Sequence, residues 1–560
     1  MRSRWLLIAI TLLLLVLACR SLAPAVQESP SPTPIQPTAT FSPVPTPLPT
    51  STPLSPTDSP TAPLVQPTPS FTPLPEASFT VRLHPDGLLY VGDQVSFEVI
   101  AAPQISLAGG KARLALASHP DQPLGEADFA SYGIGGRTQA TLYWVWDTAG
   151  LQPGDYDLDF SVLPDGPTWT ETVSLLPANQ VPPPEPEATW QTAESDCCLV
   201  HYITGTDAER DLDTLLTMVD EQAALASQRI GVEIDETLPI SFLPRVLGHG
   251  GFTAQEISVS YLDRNYAGDG TEIVLHHELI HALDNRRETD FKPSLLVEGL
   301  AVYLTGGHFK PEPLMERAAA LLPPGPDCPI NASTAEQPVC GLGWYLPLTL
   351  LVDNFYHSQH EIGYLQAGAL VEFMVETWGW EAFDRFYTGI QQPQESTDPA
   401  LDESLRQDPS RLQSQALEAA LGEHFGISLQ DLETVFLEVL GQIPLSQADV
   451  DDVRLTVMFF DTLRRYQLAL DPSAHFLAAW LPDSQQMRQQ GIVADYLRHP
   501  SSQENIALES LLVQADAALR RADYARAEEL LQSVNRTLAD VEARQAYLQT
   551  LRMFERPYGQ

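Results

Sequence analysis

The order of hydrophobic and polar residues along the chain changes its period several times. Between Ala77 and residue 178, apolar and polar positions alternate in stretches such as "SFTVRLHPDG" and "QVSFEVIA", and turns containing Gly and Pro separate the stretches. Alternation with a period of two predicts β-strands that bury one face. About seven short strands in such a length predict two packed sheets.

The chain after residue 190 mixes helical and strand-like patterns. The stretch "AERDLDTLLTMVDEQAALASQRIG" has the period of an amphipathic helix, whereas "LPISFLP" and "EISVSYLDR" are short apolar runs typical of strands. From about Ser446 onward the pattern is helical, and "ADAALRRADYARAEELLQSVNRTL" resembles a single tetratricopeptide-type hairpin. One hairpin is not an array, so we expect it to pack against other helices rather than to bind a partner.

Two proline-rich segments separate these regions. Residues 20–76 are largely Pro, Thr and Ser, and "NQVPPPEPEAT" falls within residues 179–190. Such tracts favour extended polyproline II and cannot bury a core. The longer one predicts a spacer, and the alternative is a ligand for a partner domain. The predicted fold is therefore multidomain, with an immunoglobulin-like β-sandwich at 77–178, an α+β domain at 191–445 and a helical region at 446–560. For the sandwich, a spacer or packing role is favoured over a binding role.

The first residues predict export. Arg2 and Arg4 precede an apolar run that is long enough for the core of a signal peptide at residues 1–19 and short for a membrane span. The run ends in "VLAC", which resembles the lipobox of bacterial lipoproteins. That resemblance implies acylation of Cys19 and an extracytoplasmic protein that is lipid-anchored to the bacterial cell membrane. A plain signal peptide with an incidental cysteine is the alternative.

The charge balance limits the partners. The 560 residues include 31 Lys and Arg against 73 Asp and Glu, which gives a formal net charge of −42. A field of this sign repels nucleic-acid backbones and anionic membrane surfaces. We therefore expect no nucleic-acid partner, and the sequence makes no prediction of the oligomeric state.

Four cysteines follow the predicted anchor, namely Cys197, Cys198, Cys328 and Cys340. An exported chain can keep disulfides, and four cysteines allow three pairings. We expect Cys328 to pair with Cys340 across a short loop, and the partners of Cys197 and Cys198 stay open. A zinc site built from these cysteines is not expected, because the sequence has no CxxC spacing.

Candidate chemistry lies in the stretch "IVLHHELIHALDN" at residues 273–285. His277 and His281 are four residues apart, so on a helix both side chains lie on one face and can bind one ion. Glu278 completes an HExxH pattern, in which the glutamate takes a proton from the attacking water. His276 points about 100° away and is expected to be a bystander.

A second helix is predicted from "KPSLLVEGLAVYLTGG", with Ser294 as its cap and the Gly-Gly pair as its end. Glu298 lies in its apolar middle, where a carboxylate needs a partner such as a metal ion. It is the expected third ligand, since a hydrolytic zinc site takes three protein ligands and keeps one open position. We expect Gly299 and Ala301 to let this helix approach the HExxH helix closely.

HExxH followed after sixteen residues by Glu298 in the context "EGLAVYL" resembles the gluzincin (peptidase MA-like) zinc metallopeptidases, which are related to the M1 aminopeptidases and thermolysin. The match covers roughly residues 195–440. The resemblance implies Zn²⁺ ligands at His277, His281 and Glu298, with Glu278 as general base.

A further helix, "IGYLQAGALVEFMVETWGWEAF", is similar to the helix of the M1 enzymes that carries a tyrosine and, four residues later, a glycine. Tyr364 and Gly368 hold those places. The resemblance implies that the Tyr364 hydroxyl donates to the oxyanion of the tetrahedral intermediate. The alternative is that Tyr364 is a packing residue.

Substrate contacts are predicted around the strand "EISVSYLDR". We expect it to be an edge strand that aligns an extended peptide, with Gly250, Gly251 and Glu256 as cleft residues. Asp284 either steadies a metal ligand or is a charge at the helix end. The segment "GHGGFTAQEISVS" does not match the GxMEN-like segment of the M1 aminopeptidases, which favours endopeptidase over aminopeptidase action.

These features together predict an extracytoplasmic, zinc-dependent peptidase that acts on a peptide or protein substrate. The alternative is a catalytically silent binding or scaffold lipoprotein of the cell surface, in which the sandwich and the helical tail act. A silent core usually lacks a metal ligand, whereas His277, Glu278, His281 and Glu298 are all present. This favours the enzyme.

Overall fold

The structure is a computed structural model that describes residues 79–555, apart from 104, 106, 108, 269, 326–327, 329–338 and 393–410. The predicted signal peptide (1–19) with Cys19 and the predicted linker (20–76) lie outside the described residues. Within the described residues, the predicted order of a β-rich N-terminal region and a helical C-terminal region in a multidomain chain is confirmed.

Nine strands lie in the described part of the β-rich region. They are β1 (Phe79–His84), β2 (Leu89–Tyr90), β3 (Gln94–Ala101), β4 (Lys111–Leu116), β5 (Pro123–Asp128), β6 (Ala130–Tyr132), β7 (Arg137–Asp147), β8 (Gly154–Leu163) and β9 (Thr168–Leu176). One sheet has the order β1-β3-β7-β6 and the other the order β2-β9-β8-β4-β5. Phe97, Trp146 and Phe160 are buried in the core that the sheets share. The count exceeds the predicted seven because β2 and β6 have only two and three residues, too few to show alternation.

A five-stranded mixed sheet follows the second proline-rich segment. Its strands are β10 (Trp190–Glu194), β11 (Cys198–Ile203), β12 (Leu238–Leu243), β13 (Gly251–Thr253) and β14 (Ile257–Ser260). The order is β10-β11-β12-β14-β13, with β11, β12 and β14 parallel and the two outer strands antiparallel to their neighbours. Parallel strands covered on both faces explain the continuous apolar runs in this part of the sequence.

The helices of this domain pack on the sheet and on one another. They are α1 (Asp207–Arg210), α2 (Leu212–Ile230), α3 (Thr271–Asp284), α4 (Ser294–Thr305), α5 (Leu314–Ala320), α6 (Leu348–Asp353), α7 (His360–Trp378), α8 (Trp380–Gly389), α9 (Arg411–His424) and α10 (Leu429–Leu440). Their buried faces form one hydrophobic core with β11, β12 and β14. No helix within the described residues combines the length and the apolarity needed to cross a membrane.

The C-terminal region is helical and joins the preceding domain. Its helices are α11 (Gln447–Leu470), α12 (Ser484–Gln490), α13 (Ala494–Leu497), α14 (Gln503–Arg520) and α15 (Tyr524–Glu555). α14 and α15 form a hairpin that packs against α11. Tyr266 and Phe309 of the preceding domain are buried in the same core as these three helices. The hairpin therefore packs within the protein.

The segment between α11 and α14 contacts the sandwich. Arg498 donates to Asp93 at 2.6 and 2.8 Å, and it also pairs with Glu185 of the second proline-rich segment. The His84 ring stacks on Trp480 with ring centroids 3.8 Å apart. Because both Arg498 and Asp93 are buried, their ion pair holds the sandwich against the C-terminal region.

Two disulfides are present among the described residues. Cys328 bonds to Cys340, which confirms the predicted pair. Cys197 and Cys198, whose partners the sequence leaves open, bond to each other. Asp220 lies beside them and accepts from the Cys197 N–H at 3.0 Å. Sulfurs in a disulfide carry no thiolate, so this group does not offer metal ligands in the form shown.

Candidate metal centre

The HExxH residues lie in α3, whose opposite face belongs to the core. Leu275, Leu279 and Leu283 are completely buried in that core. His277 and His281 are one helical turn apart, so their side chains project from the same side. Their Nε2 atoms lie 2.9 Å from each other.

Glu298 on α4 reaches the same point. Its Oε2 atom lies 3.1 Å from His277 Nε2 and 3.2 Å from His281 Nε2. Glu298 and His277 are buried, and His281 is half-buried. The structure therefore brings the three predicted metal ligands together, and we call them the metal cluster.

The start of α4 differs from the prediction. The expected cap, Ser294, is the first helical residue, and Pro293 with its extended backbone stands at the capping position. The prediction that Ser294 caps the helix is therefore wrong. Proline can stand at the start of a helix because backbone N–H groups there have no acceptor within the helix, so a residue without an N–H loses no helical hydrogen bond. The helix ends at Gly306 with φ +83°, as expected for a left-handed C-terminal residue.

Two glycines set the close crossing of α4 and α7. A Cβ on Gly299 would lie 2.6 Å from the Ala367 carbonyl oxygen, and a Cβ on Gly368 would lie 2.5 Å from Val302 Cγ1. The prediction that Gly299 brings α4 close to the HExxH helix is therefore wrong, because its open side faces α7. The crossing fixes Glu298 on the side of α4 that faces the histidines.

The chemistry of the metal cluster fits a zinc ion. If each imidazole carries its N–H at Nε2, the two nitrogens face each other donor to donor across 2.9 Å. If only one does, a bare nitrogen faces the Glu298 carboxylate. A cation that binds a lone pair of each of the two Nε2 atoms and of Glu298 Oε2 removes both of these unfavourable contacts. Imidazole nitrogens and carboxylate oxygens are also the ligands of hydrolytic zinc sites.

Burial and ion pairing together set the charges of the metal cluster. Burial opposes ionisation of Glu298, but His281 and His277 hold the pKa of Glu298 well below its usual range. Burial also opposes a charged His281, yet the carboxylates of Glu298 and Glu278 raise the pKa of His281 to about 9. Burial and the neighbouring His281 lower the pKa of His277 to about 4. At neutral pH Glu298 is ionised and His277 is neutral, which are the forms that bind a metal ion, whereas His281 carries a proton that metal binding would release.

Glu278 lies next to the metal cluster and is held by the strand β13. Thr253 Oγ1 is 2.8 Å from Glu278 Oε2 and 2.9 Å from the Glu278 carbonyl oxygen, so its hydroxyl can donate to either. Burial raises the pKa of Glu278 to about 7, while His281 and Thr253 act to lower it. A carboxyl group with a pKa near neutrality can both accept and return a proton.

Two tyrosines flank the metal cluster. The Tyr356 hydroxyl donates to Glu298 Oε1 at 2.7 Å, which is the carboxylate oxygen that does not face the histidines. The ring of Tyr364 lies 6.2 Å from the His277 ring and stacks on His308 at 4.4 Å. Tyr364 is buried, and its hydroxyl makes no hydrogen bond to the described residues. It is thus close to the metal cluster, while Tyr356 orients Glu298.

The edge strand beside α3 is not the predicted one. "EISVSYLDR" contains β14, which lies inside the sheet between β12 and β13, so its assignment as an edge strand is wrong. The edge is β13, and its three residues in a glycine-rich stretch are too few for a strand pattern to appear. A Cβ on Gly251 would lie 2.6 Å from Val274 Cγ1 of α3. Glycine at this place lets the edge strand lie against the HExxH helix.

The other predicted cleft residues are placed differently. Gly251 lines the cavity beside the metal cluster, whereas Gly250 precedes β13 and is not among the residues that line it. Glu256 pairs with Arg488 at 2.7 Å and lines a second cavity rather than the one beside the metal cluster. The strand reverses direction between Gly251 and Glu256, which carries Glu256 away from α3.

Asp284 and His276 act outside the metal cluster. Asp284 is buried, and its Oδ2 atom accepts from Tyr387 and from Lys292, each at 2.8 Å. It therefore anchors the end of α3. Burial lowers the pKa of His281, and the charge of Asp284 is one of those that raise it. His276 Nδ1 lies 2.9 Å from Gln222 Oε1 on α2, which is the bystander position expected for it.

A cavity of about 280 Å³ opens beside the metal cluster. Its lining includes His277, Glu278, His281, Glu298, Tyr356 and Tyr364. Ile134 of the sandwich and Phe476 from the segment after α11 line it as well. Three separate regions of the chain thus meet at the site, which we call the metal cavity.

Sequence reasoning missed Thr253 and Tyr356. Thr253 is 25 residues from Glu278, and Tyr356 is 58 residues from Glu298, so neither pair has a helical or strand spacing. Both lie in short elements or turns without a periodic pattern. Only the fold brings them to the site.

No protein-family model matches the chain, and a search of curated proteins gives no match either.

Proposed function

We propose that the chain is a zinc-dependent peptidase of the gluzincin type that cleaves peptide bonds within a peptide or protein substrate. The observation that carries the proposal is the meeting of His277, His281 and Glu298 beside Glu278 at an open cavity. These three ligands would hold Zn²⁺, which when bound acts as a Lewis acid toward a carbonyl oxygen and lowers the pKa of water.

Glu278 moves the proton in the proposed reaction. Its carboxylate accepts a proton from the attacking water and passes it to the leaving nitrogen, so that the C–N bond breaks with release of a neutral amine. Thr253 supports this role because its hydroxyl, 2.8 Å from Glu278 Oε2, keeps the carboxylate oriented.

Two tyrosines have separate roles in the proposal. Tyr364 lines the metal cavity and would donate its hydroxyl to the oxyanion that forms at the carbonyl. Removal of one such donor typically lowers kcat by about 10²- to 10³-fold. Tyr356 orients Glu298 through the 2.7 Å hydrogen bond to Oε1.

The edge strand β13 supports binding of an extended polypeptide. Gly250 accepts from the Ser260 N–H at 2.7 Å, and the Ala254 N–H donates to Glu256 at 3.2 Å. Because backbone groups alternate in direction along a strand, those of Gly251 and Thr253 face away from β14. A substrate strand could therefore pair with the open edge of β13 beside Glu278.

The lining of the metal cavity favours cleavage within a chain. Glu278 and Glu298 are the carboxylates among its described lining residues, and both have roles in the proposed reaction. Among the described residues, no further acid lines the metal cavity to bind the free amine of a substrate N-terminus. This favours endopeptidase action.

The location is proposed from the N-terminal sequence. Acylation at Cys19 would anchor the enzyme to the extracytoplasmic face of a bacterial membrane, with residues 20–76 as a spacer and an immunoglobulin-like sandwich next in the chain. Incorporation of a labelled fatty acid by the full-length chain, lost in Cys19→Ser, is the expected result. Equal labelling of the two chains would contradict the anchor.

The test of the proposed activity is cleavage of a peptide library by the full-length chain and by its Glu278→Gln variant. We expect the parent to cleave internal bonds and the variant to lose at least about 10³-fold in kcat/KM, because glutamine cannot take the proton. Zinc content should be equal in the two proteins. Cleavage that survives the substitution would contradict the role of Glu278, and absence of cleavage by the parent would contradict the activity.

A further inference from the structure

A second, larger cavity of about 800 Å³ adjoins the metal cavity. The two cavities share Phe252 and Leu481 in their linings. Phe252 belongs to the edge strand β13, and Leu481 belongs to the segment after α11. One molecule that enters the metal cavity along β13 therefore comes directly to the larger cavity.

The strand β13 leads from one cavity to the other. Thr253 contacts Glu278 in the metal cavity, and the next residues, Ala254 and Gln255, line the larger cavity. An extended chain advances about 3.3 Å per residue. A polypeptide paired with β13 would thus place a side chain about two to four residues from the scissile bond into the larger cavity.

The walls of the larger cavity are aromatic and amide-rich. The sandwich supplies Tyr143 and Trp144, and α12 supplies Gln485, Gln486 and the neighbouring Arg488. Tyr143 is 40% exposed, so part of its ring is open to a ligand. Tyrosine and tryptophan offer wide contact faces with few rotatable bonds, and amides add adaptable hydrogen bonds.

The charged side chains of this cavity have partners of two kinds. Asp483 accepts from the Gln486 N–H at 3.0 Å, and Glu256 forms an ion pair with Arg488. Arg488 Nη2 donates to Glu256 Oε2 at 2.7 Å, and Arg488 Nη1 lies 3.0 Å from Glu256 Oε1. Burial opposes ionisation of Glu256, but Arg488 and Ser484 hold the pKa of Glu256 below its usual range. Beside these groups, the aromatic faces and neutral amides of the wall suit a large apolar side chain with its peptide groups.

Trp144 has an unusual backbone conformation at this wall. Its φ is +47°, in the left-handed region that bulky residues rarely adopt. The Trp144 N–H donates to Ser96 Oγ at 2.7 Å, which holds the conformation at an irregular point of the β3–β7 pairing. Strained residues of this kind are concentrated at binding sites.

The sandwich wall is held firmly beside the site. Tyr132 donates its hydroxyl to the Ala479 carbonyl at 3.1 Å and accepts from the Leu481 N–H at 3.1 Å. The Gly135 N–H donates to the Leu477 carbonyl at 2.9 Å. These bonds join β6 and the turn after it to the segment that lines both cavities, so the walls are set before a ligand arrives.

We propose that the larger cavity is a substrate subsite that receives a large apolar or aromatic side chain of the polypeptide, about two to four residues from the scissile bond. The inference rests on the proposed function and deepens it, because it makes the sandwich part of the substrate site. Tyr143 and Trp144 contact the substrate side chain, and Gln486 offers its amide to the substrate backbone.

The test compares a long and a short peptide with the full-length chain and its Tyr143→Ala variant. The long probe is the best-cleaved member of a library of peptides about twelve residues long, and the short probe keeps about two residues on each side of the cleaved bond. We expect Tyr143→Ala to lower kcat/KM for the long peptide by about ten-fold and to change that of the short peptide by less than about two-fold. Leu225→Ala is the control, because Leu225 on α2 is also 40% exposed and does not line either cavity.

A binding measurement separates failure of the subsite from failure of the proposed activity. The same library is selected for binding to immobilised Glu278→Gln protein, with and without Tyr143→Ala. Enrichment of peptides with apolar or aromatic residues that Tyr143→Ala abolishes supports the subsite, even if the parent protein cleaves nothing. No enrichment, equal enrichment in both proteins, or an equal loss of kcat/KM for the long and short peptides would overturn it.

Discussion

The Tyr356 hydroxyl acts on the candidate metal centre through Glu298. Its 2.7 Å hydrogen bond to Oε1 leaves Oε2 directed at the two histidines. Groups that orient a metal ligand in this way commonly change metal affinity by about 10- to 100-fold. The residue carries no sequence pattern of its own, so its importance depends on one long-range contact.

Tyr356→Phe tests that contact. We expect zinc affinity to fall by about ten-fold or more, because Glu298 loses the donor that orients it. Competition with a chromophoric chelator measures the change. Tyr303→Phe is the control, since Tyr303 lies half-buried on α4, the helix of Glu298, and is not among the residues that line the metal cavity. An unchanged affinity in Tyr356→Phe would show that the hydrogen bond does not support the ligand.

Thr253→Val tests the orientation of Glu278. The substitution keeps the side-chain shape and removes the donor that lies 2.8 Å from Glu278 Oε2. We expect kcat to fall by about ten-fold with zinc content unchanged, because Thr253 contacts the base and not the metal ligands. Thr217→Val removes an exposed hydroxyl on α2 and should leave kcat as it is. Loss of zinc in Thr253→Val would mean that the threonine supports the metal cluster instead.

At the scale of elements, the site depends on how closely α4 and α7 cross. Gly299 and Gly368 permit this crossing, and it holds Glu298 opposite the two histidines of α3. The edge strand β13 adds Thr253 from the other direction. The metal cavity therefore depends on the packing of α4, α7 and β13 around α3, with a glycine or a small side chain at each contact.

Gly299→Ala tests the crossing. We expect the free energy of unfolding to fall by about 1–3 kcal/mol, because the new Cβ would meet the Ala367 carbonyl oxygen at 2.6 Å. Gly422→Ala is the matched control in α9, where a Cβ would meet nothing within 4 Å. That change should raise stability by about 0.5–1 kcal/mol, as alanine does in an open helix position. Denaturant unfolding of both variants measures the difference, and equal effects would contradict the close crossing.

The sequence predicts those parts of the site that follow a local period. His277 and His281 stand out by their spacing of four residues within one helix, and Glu298 stands out as an acid in the apolar middle of the next helix. The edge strand could not be predicted, since β13 has three residues and its role depends on which neighbour it pairs with. The helix that packs against Gly299 could not be predicted either, because a glycine in a sequence does not reveal which helix approaches it. The proposed metal ion and the proposed activity stay predictions.

At the scale of the whole molecule, the sandwich and the C-terminal region enclose the site together with the mixed-sheet domain. The pair of Arg498 with Asp93 and Glu185 joins the sandwich to the segment that leads to α14. Ile134 and Phe476 extend these two regions into the metal cavity. Loss of the junction should therefore affect substrate cleavage as well as stability.

Arg498→Met tests the junction. The substitution leaves the buried Asp93 carboxylate without its partner, and breaking a buried pair in this way costs about 3–5 kcal/mol. We expect a lower unfolding temperature in calorimetry and faster proteolytic cleavage between the sandwich and the mixed sheet. Arg113→Met breaks a pair with Glu126 that is 42% and 35% exposed, and it should cost less than about 1 kcal/mol. Equal effects of the two substitutions would contradict the role of Arg498.

In the proposed function, His277, His281 and Glu298 bind one zinc ion. The most direct measurement is the zinc content of the purified full-length chain and of two single variants, His277→Ala and His276→Ala, by mass spectrometry of the metal. We expect about one zinc ion per chain in the parent and in His276→Ala, because His276 faces Gln222 on α2. His277→Ala should hold almost none. A parent chain without stoichiometric metal, or a His277→Ala variant with as much zinc as the parent, would contradict the account.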